Sequence, residues 1–250
     1  MATHLTYGNN PQPVIAPSRA ATNRAAVQPG HLAPGLETPI TLKPAHPLYL
    51  IGKRVTDISV AAIATVIFAP VIAIIALLIR LDSPGPAIFR QQRVGHGGRT
   101  FTFYKFRTMY ADAKERFPEL YDYRYSTEQW NTLFYKLPED PRMTRFGRIV
   151  RKTTLDELPN LFNVLKGDMS LVGPRPELPD YVEYYTPAQL AKFSVRAGVT
   201  GLAQSSGRGT LPVQDQIAAD LEYVARSSFW FDVKILARTV AMVVRGVGAF

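Results

Sequence analysis

The sequence predicts an α+β protein, mostly helical with one small β-hairpin, held to a membrane by a long apolar helix and a second helix near the C-terminal end. Three observations predict it. An apolar run of 22 residues carries no charge, two short aromatic strands are joined by glycines, and helical spacing recurs through the C-terminal half.

Residues 1–47 are expected to be a disordered tail. They hold eight of the chain's 20 prolines and few charges, too little apolar surface to offset the entropy of ordering. No basic start followed by an apolar run marks a signal peptide there. Residues 48–250 are expected to form one domain. Its formal charge contributes to a chain total of +9, which calls for an acidic partner: nucleic acid, anionic lipid or a phosphorylated substrate. The chain has no cysteine, which excludes disulfides, zinc–thiolate sites and thiol nucleophiles.

From Ile58 to Ile79 no residue is charged, and as helix the run would reach about 33 Å. The membrane helix is placed at about residues 53–80. Pro70 near its middle removes a backbone hydrogen bond. Lys53 and Arg54 precede the run and Arg80 follows it, so both flanks are basic, as expected of a segment that enters and leaves by one face. The residues alone favour an ordinary spanning helix, since proline-broken spanning helices are common. Phe229 to Arg245 reads as a helix starting with Phe229, Trp230 and Phe231. Lys234, Arg238 and Arg245 share one of its faces, which fits either a helix in the lipid headgroups or a core helix with a solvated stripe.

Between the two lie strands at Ala87–Val94 and Thr100–Phe106, turned by Gly95, Gly97 and Gly98. A short helix follows at Ala111–Arg116, then an irregular aromatic stretch to Pro141. Helices are expected at Arg145–Lys152, Leu158–Lys166, Pro187–Phe193 and Gln214–Arg226. Gly167–Pro176 reads as a Gly/Pro-rich turn and Gly198–Gly209 as a loop.

Asp156 and Glu157 adjoin where a helix is expected to start. Thr154 and Glu157 have capping-box spacing, and Asp156 could itself be the cap. Plain capping is one reading. An ionised Asp held beside a phosphate as a nucleophile is the other, and a carboxylate pair suits magnesium. Arg151 lies one turn earlier, with Arg142, Arg145, Arg148 and Lys152 nearby. Lys105 and Arg107 end the second strand, and Arg175 is pinned between two prolines. Phosphoryl transfer needs such fixed cations, although each alone reads as a solvated charge. The four histidines (His4, His31, His46, His96) are assigned no chemistry. No helix-turn-helix or zinc-finger pattern supports nucleic acid as the acidic partner.

Several blocks together carry a resemblance: KRVTD from Lys53, YKFRTM from Tyr104, DPRMTRFGRIVRKTTLDELPNLFNVLKGDMSLVGPRPE from Asp140, and GVTGLAQSSGR from Gly198. The chain resembles the bacterial sugar transferases, the monotopic phosphoglycosyl transferases that start exopolysaccharide and related glycan assembly. The resemblance covers about Pro47 to the C-terminal end. It implies a re-entrant helix at the inner, cytoplasmic membrane with the other helices cytosolic, reversing the preference for a spanning one. It also implies that Asp156 attacks the sugar-bearing phosphate of a UDP-sugar, releases UMP, and passes the phosphosugar to undecaprenyl phosphate. Under the same resemblance Glu157 would help hold Mg2+ or manage protons, and Arg151 would bind phosphate. Arg175 would contact the nucleotide, with Lys105, Arg107, Asp168 and Arg208 also on the substrate side. The lipid bilayer is the expected partner surface, nucleic acid is not expected, and a homodimer is left open. Ala69 stands where the family often has Ser before the proline, Ala197 where Pro is frequent, and Ala203 where an aromatic is common. Relative to longer members the chain reads as a minimal catalytic form with a tail.

Overall fold

A computed structural model describes residues 47–133, 140–207 and 211–245. The expected tail lies outside these residues except Pro47, and so does Arg208. The chain is mostly helical with two small sheets.

Helix α1 (Pro47–Asp82) is 36 residues long and includes Pro70. It begins earlier than the apolar run requires because Tyr49 and Lys53, one turn apart, both reach Asp232 near the C-terminal end of the chain. Its length and composition suffice to cross a membrane. Asp57, Ala61, Ile75 and Ile79 are buried, and Ala64, Thr65, Val71, Ile72 and Ala76 are half-buried, a stripe at helical spacing. Residues 66–70 interrupt it, all exposed.

Both ends of α1 therefore dock on the same folded unit. Toward the start, Arg54 donates to the carbonyls of Val164 and Leu165 at 2.7 and 3.0 Å, and the Asp57 carboxylate accepts from the Leu171 amide at 3.0 Å. Toward the end, Ile75 and Ile79 pack with Phe106 and Val150. Arg107, buried, donates to the carbonyls of Ser83 and Pro84 at 2.7 and 2.6 Å, with a longer contact to Ile79. The two short bonds go to the turn that leaves α1, whose carbonyls have no helical partner.

Strands β1 (Ile88–Val94) and β2 (Thr100–Phe106) form the expected antiparallel hairpin, with Ile88 opposite Phe106 and Val94 opposite Thr100. Gly97 and Gly98 turn it at φ 68° and 76°, conformations that favour glycine. Helices α2 (Ala113–Arg116) and α3 (Thr127–Thr132) follow, the latter closed by a capping box between Ser126 and Gln129. The aromatic stretch expected to be irregular thus contains a helix. Trp130 anchors it among Tyr125, Tyr181, Tyr184 and Tyr185.

Helices α4 (Arg145–Lys152), α5 (Asn160–Lys166), α7 (Val213–Arg226) and α8 (Phe229–Val244) match their expected positions to within two residues. Two stretches read as loops are different. Strand β3 (Met169–Val172) pairs in parallel with β4 (Ala197–Thr200), Met169 opposite Ala197, and α6 (Leu202–Gly207) follows. Pro187–Phe193, expected as a helix, is instead a 3-10 segment at Gln189–Ser194. All four β3 residues are buried. Met169, Leu171 and Val172 form the main core with Phe101, Phe103, Leu161, Val164, Tyr223 and Ile235.

Candidate active site

Between α4 and α5 the chain makes a tight 3-10 turn, Leu155–Glu157. Thr154 enters it at φ 64°, the one described non-glycine residue in the left-handed region. That conformation costs a residue with a Cβ roughly 1–2 kcal/mol. It persists because α4 packs below the turn and the hairpin packs beside it.

Simple capping does not account for the two carboxylates. Thr154 makes no side-chain cap bond, α5 starts only at Asn160, and its N-cap is Pro159, which offers no side-chain bond either. Both expectations, the capping box and the Asp156 cap, are corrected by this turn: the intervening Leu158–Pro159 step places Asp156 outside the helix.

Asp156 and Glu157 are half-buried and face a set of cations. Arg175 Nη1 lies 3.5 Å from Glu157 Oε1. Burial, reinforced by the Glu157 charge, raises the Asp156 pKa to about 6, against the pull of Lys105, Arg151 and Arg175. Lys105 responds in the opposite sense. Burial lowers its pKa to about 8, with Asp156 opposing and Arg93, Arg151 and Arg175 adding to the fall. Arg151 is likewise lowered, chiefly by burial. Three cations, Lys105, Arg151 and Arg175, thus act on the Asp156 carboxylate, with Arg93 beside Lys105, an arrangement suited to a polyanionic ligand.

Arg93 was not singled out in the sequence. The hairpin register brings it in: with Arg93 opposite Phe101 and Phe89 opposite Lys105, Arg93 and Lys105 share one face. Two-residue alternation from Phe89 through Gln91 was the available signal. Arg93 also donates to the Pro176 carbonyl at 3.4 Å, linking the hairpin to the loop that carries Arg175.

That loop is held from behind. Gly173 donates to Thr200 and Gly198 donates to Pro174, each at 2.9 Å, and a Cβ at either glycine would strike the opposing backbone. Glu177 pairs through its backbone with Val94, and its carboxylate accepts from Tyr185 at 2.7 Å. Buried Lys192 lies 3.0 Å from Asp220 and 3.5 Å from Glu177, and the Arg175 amide faces Asp220.

Three expected site residues stand elsewhere. Arg107, expected on the substrate side, directs its guanidinium to four backbone carbonyls at and just past the end of α1. Asp168 sits past the far end of α5, paired with Lys166 at 3.1 Å and accepting from Asn163 at 3.2 Å. Arg142 makes a two-pronged pair with Asp140, at 2.8 and 2.7 Å, under Tyr121. Arg145, Arg148 and Lys152 point to solvent.

Among the described residues, no three acidic or histidine side chains gather as a metal site. Magnesium commonly takes only one or two carboxylates and completes its shell with water and substrate phosphates. The Asp156–Glu157 pair fits that mode of binding. Apolar side chains are exposed along the middle of α1, at Ile149 and Phe162, and on α8 at Phe229, Trp230, Val240 and Val244. This is more apolar exposure than water tolerates without a covering phase.

A family model described as bacterial sugar transferase matches residues 48–246. The galactosyl transferase CpsE of Streptococcus agalactiae is 45% identical over 202 residues, 80% of this chain and 44% of that protein. The UDP-glucose:undecaprenyl-phosphate glucose-1-phosphate transferase of Caulobacter vibrioides is 41% identical over 236 residues, 90% of this chain and 82% of its own. The exopolysaccharide production protein ExoY of Rhizobium meliloti is 35% identical over 205 residues, 82% of this chain and 90% of its own. The chain spans less than half of the streptococcal relative and most of the other two.

Proposed function

The chain belongs to the bacterial sugar transferase family, and on that premise we propose that it is a phosphoglycosyl transferase moving a sugar 1-phosphate from a UDP-sugar to undecaprenyl phosphate. The reading is carried by one observation: a half-buried carboxylate pair, free of any capping role, with Lys105, Arg151 and Arg175 acting on Asp156. Several relatives that are named undecaprenyl-phosphate sugar phosphotransferases support the same reaction.

In the first step an Asp156 carboxylate oxygen attacks the sugar-bearing phosphorus of the donor. The bond from that phosphorus to the bridging oxygen breaks, and UMP leaves with the electron pair. In the second step a phosphate oxygen of undecaprenyl phosphate attacks the same phosphorus. The Asp156–phosphorus bond then breaks, the carboxylate is restored, and the product is an undecaprenyl diphosphate sugar. A pKa of about 6 leaves Asp156 mostly ionised at neutral pH while making it more basic than an ordinary aspartate. Arg151, Arg175 and Lys105 orient the donor phosphates and offset their charge, as this chemistry requires. Asp156 and Glu157 would hold Mg2+, which would supply positive charge to offset that of the donor phosphates.

The membrane geometry belongs to the same proposal. A straight crossing would carry the two ends of α1 to opposite faces, yet Arg54 and Asp57 near one end and Ile79 near the other all contact the same unit. This supports a re-entrant helix with its exposed 66–70 elbow in the lipid and the active site on the cytosolic face of the inner membrane. Exposed Trp230 and the α8 surface would then rest at the headgroups.

Incubation with sugar-labelled UDP-sugar in the absence of acceptor is the test. Phosphosugar on Asp156 by mass spectrometry, with stoichiometric UMP, is expected; a chain that never acquires label would leave a lipid-bound scaffold as the better reading. Single cysteines L48C and D82C, both at exposed positions in a chain with none of its own, should both react from the cytosolic side. Reaction from opposite sides would replace the re-entrant helix with a spanning one.

A further inference from the structure

Away from Asp156, at the other end of α5, a cavity of about 430 Å³ opens between the first turns of α1, the hairpin turn and the start of β4. Asp156 precedes the N-terminal end of α5, whereas Arg54 and Arg196 hold the carbonyls of Val164, Leu165 and Gly167 at its C-terminal end. None of the charges acting on Asp156 lines this cavity.

Its lining is unusual in what it leaves unused. Ser194 is only 5% exposed, lines the cavity, and its hydroxyl has no hydrogen-bond partner. A buried polar atom left unpaired is destabilising, and a bound ligand that pairs with it would relieve that penalty. Arg196 spends only its Nε on the protein, donating to Gly167 at 3.1 Å, so its two Nη groups remain to donate elsewhere. His96 faces the same space, and burial together with the Arg196 charge holds its pKa below the ordinary histidine value. Arg54 adds positive charge and Asp57 is the one acidic residue in the lining, while Lys53 is paired with Asp232 at 2.7 Å.

We propose that this cavity binds a phosphate-bearing anion, with the Arg196 guanidinium making a two-pronged contact and Ser194 and His96 completing the cradle. Paired guanidinium N–H groups match phosphate oxygens in spacing and charge. Leu50, Ile51 and Val55 continue the cavity wall onto the exposed start of α1, where acyl chains would lie. The same phosphate chemistry is offered by an anionic phospholipid headgroup and by free phosphate, and the experiment separates them.

The full chain in a non-ionic detergent is titrated by NMR through its imidazole resonances, with His96→Gln used to assign the His96 signal. An anion seated beside His96 stabilises the imidazolium and should raise its pKa by about 1. Dihexanoyl phosphatidylglycerol and inorganic phosphate are the two probes. A rise with the lipid alone identifies a headgroup site, and an equal rise with phosphate identifies a free-phosphate site. Arg196→Gln should weaken binding at least about tenfold. Ser194→Ala, which breaks no bond of the folded protein, should weaken it about three- to tenfold. No rise with either probe overturns the proposal, as does an unchanged rise in Arg196→Gln. Should Arg196→Gln not fold, the wild-type titration and Ser194→Ala decide alone. Turnover is not measured, so failure here leaves the assignment of Asp156 standing.

Discussion

Replacing Asp156 with asparagine should abolish turnover and make the protein more stable. The side chain keeps its shape but loses the charge that its surroundings disfavour. A pKa of about 6 against 3.8 for a free aspartate means that the ionised form is held at a cost. At about 1.4 kcal/mol per tenfold, that cost reaches about 3 kcal/mol, and partial solvent contact reduces it to about 1–2 kcal/mol. The sign follows from linkage. The folded chain binds this proton more tightly than the unfolded one, so wild-type stability should fall as pH rises from about 4 to about 6 and then level off. Asparagine removes that decline. In a domain of this size a gain of about 1–2 kcal/mol corresponds to a melting temperature higher by about 2–8 °C. Turnover should fall by at least about 10⁴-fold, as expected for loss of a nucleophile. Thermal unfolding at pH 7.5 in detergent, with UMP release measured on the same preparation, checks both. Turnover within tenfold of wild type would refute the role of Asp156 as nucleophile. A melting temperature lowered by several degrees would refute the electrostatic reasoning and make the residue structural.

Turnover against pH should rise through about 6 as Asp156 ionises and fall through about 8 as Lys105 loses its charge, and a profile flat from 5 to 9 would contradict this pairing. Arg107→Gln should lower thermal stability by about 2–4 kcal/mol through lost charged bonds to the Ser83 and Pro84 carbonyls that follow α1, leaving KM for the donor unchanged in the folded fraction; a selective rise in KM would place it on the substrate side. Lys192→Met should cost about 3–5 kcal/mol in denaturant unfolding, since it strands two buried carboxylates, Glu177 and Asp220. Removing divalent cations with EDTA should stop UMP release and added magnesium should restore it; unaffected release would exclude a metal-dependent first step.

Much of the fold is legible in the sequence where a local pattern suffices. The hairpin shows in its strands and glycines, and α4, α7 and α8 in their spacing, because a three-turn helix or a tight turn is specified by neighbours. Strands β3 and β4 are not legible. Each has four residues, too few for a period to emerge, and their parallel pairing joins segments 28 residues apart. Met169–Val172 reads as a turn until the core that buries it is known.

The site divides along the same line. Arg107 follows Lys105 by two residues at a strand end, and both look alike as sequence, yet one faces Asp156 and the other closes α1. Arg93 enters only through a cross-strand register. Composition and motif by themselves determined the kind of protein: a basic, membrane-held chain with a carboxylate pair among cations. Only the tertiary structure decided which cations reach that pair, which are spent on backbone carbonyls, and that both ends of α1 meet one unit, because Coulomb and hydrogen-bond energies depend on distances that folding alone sets.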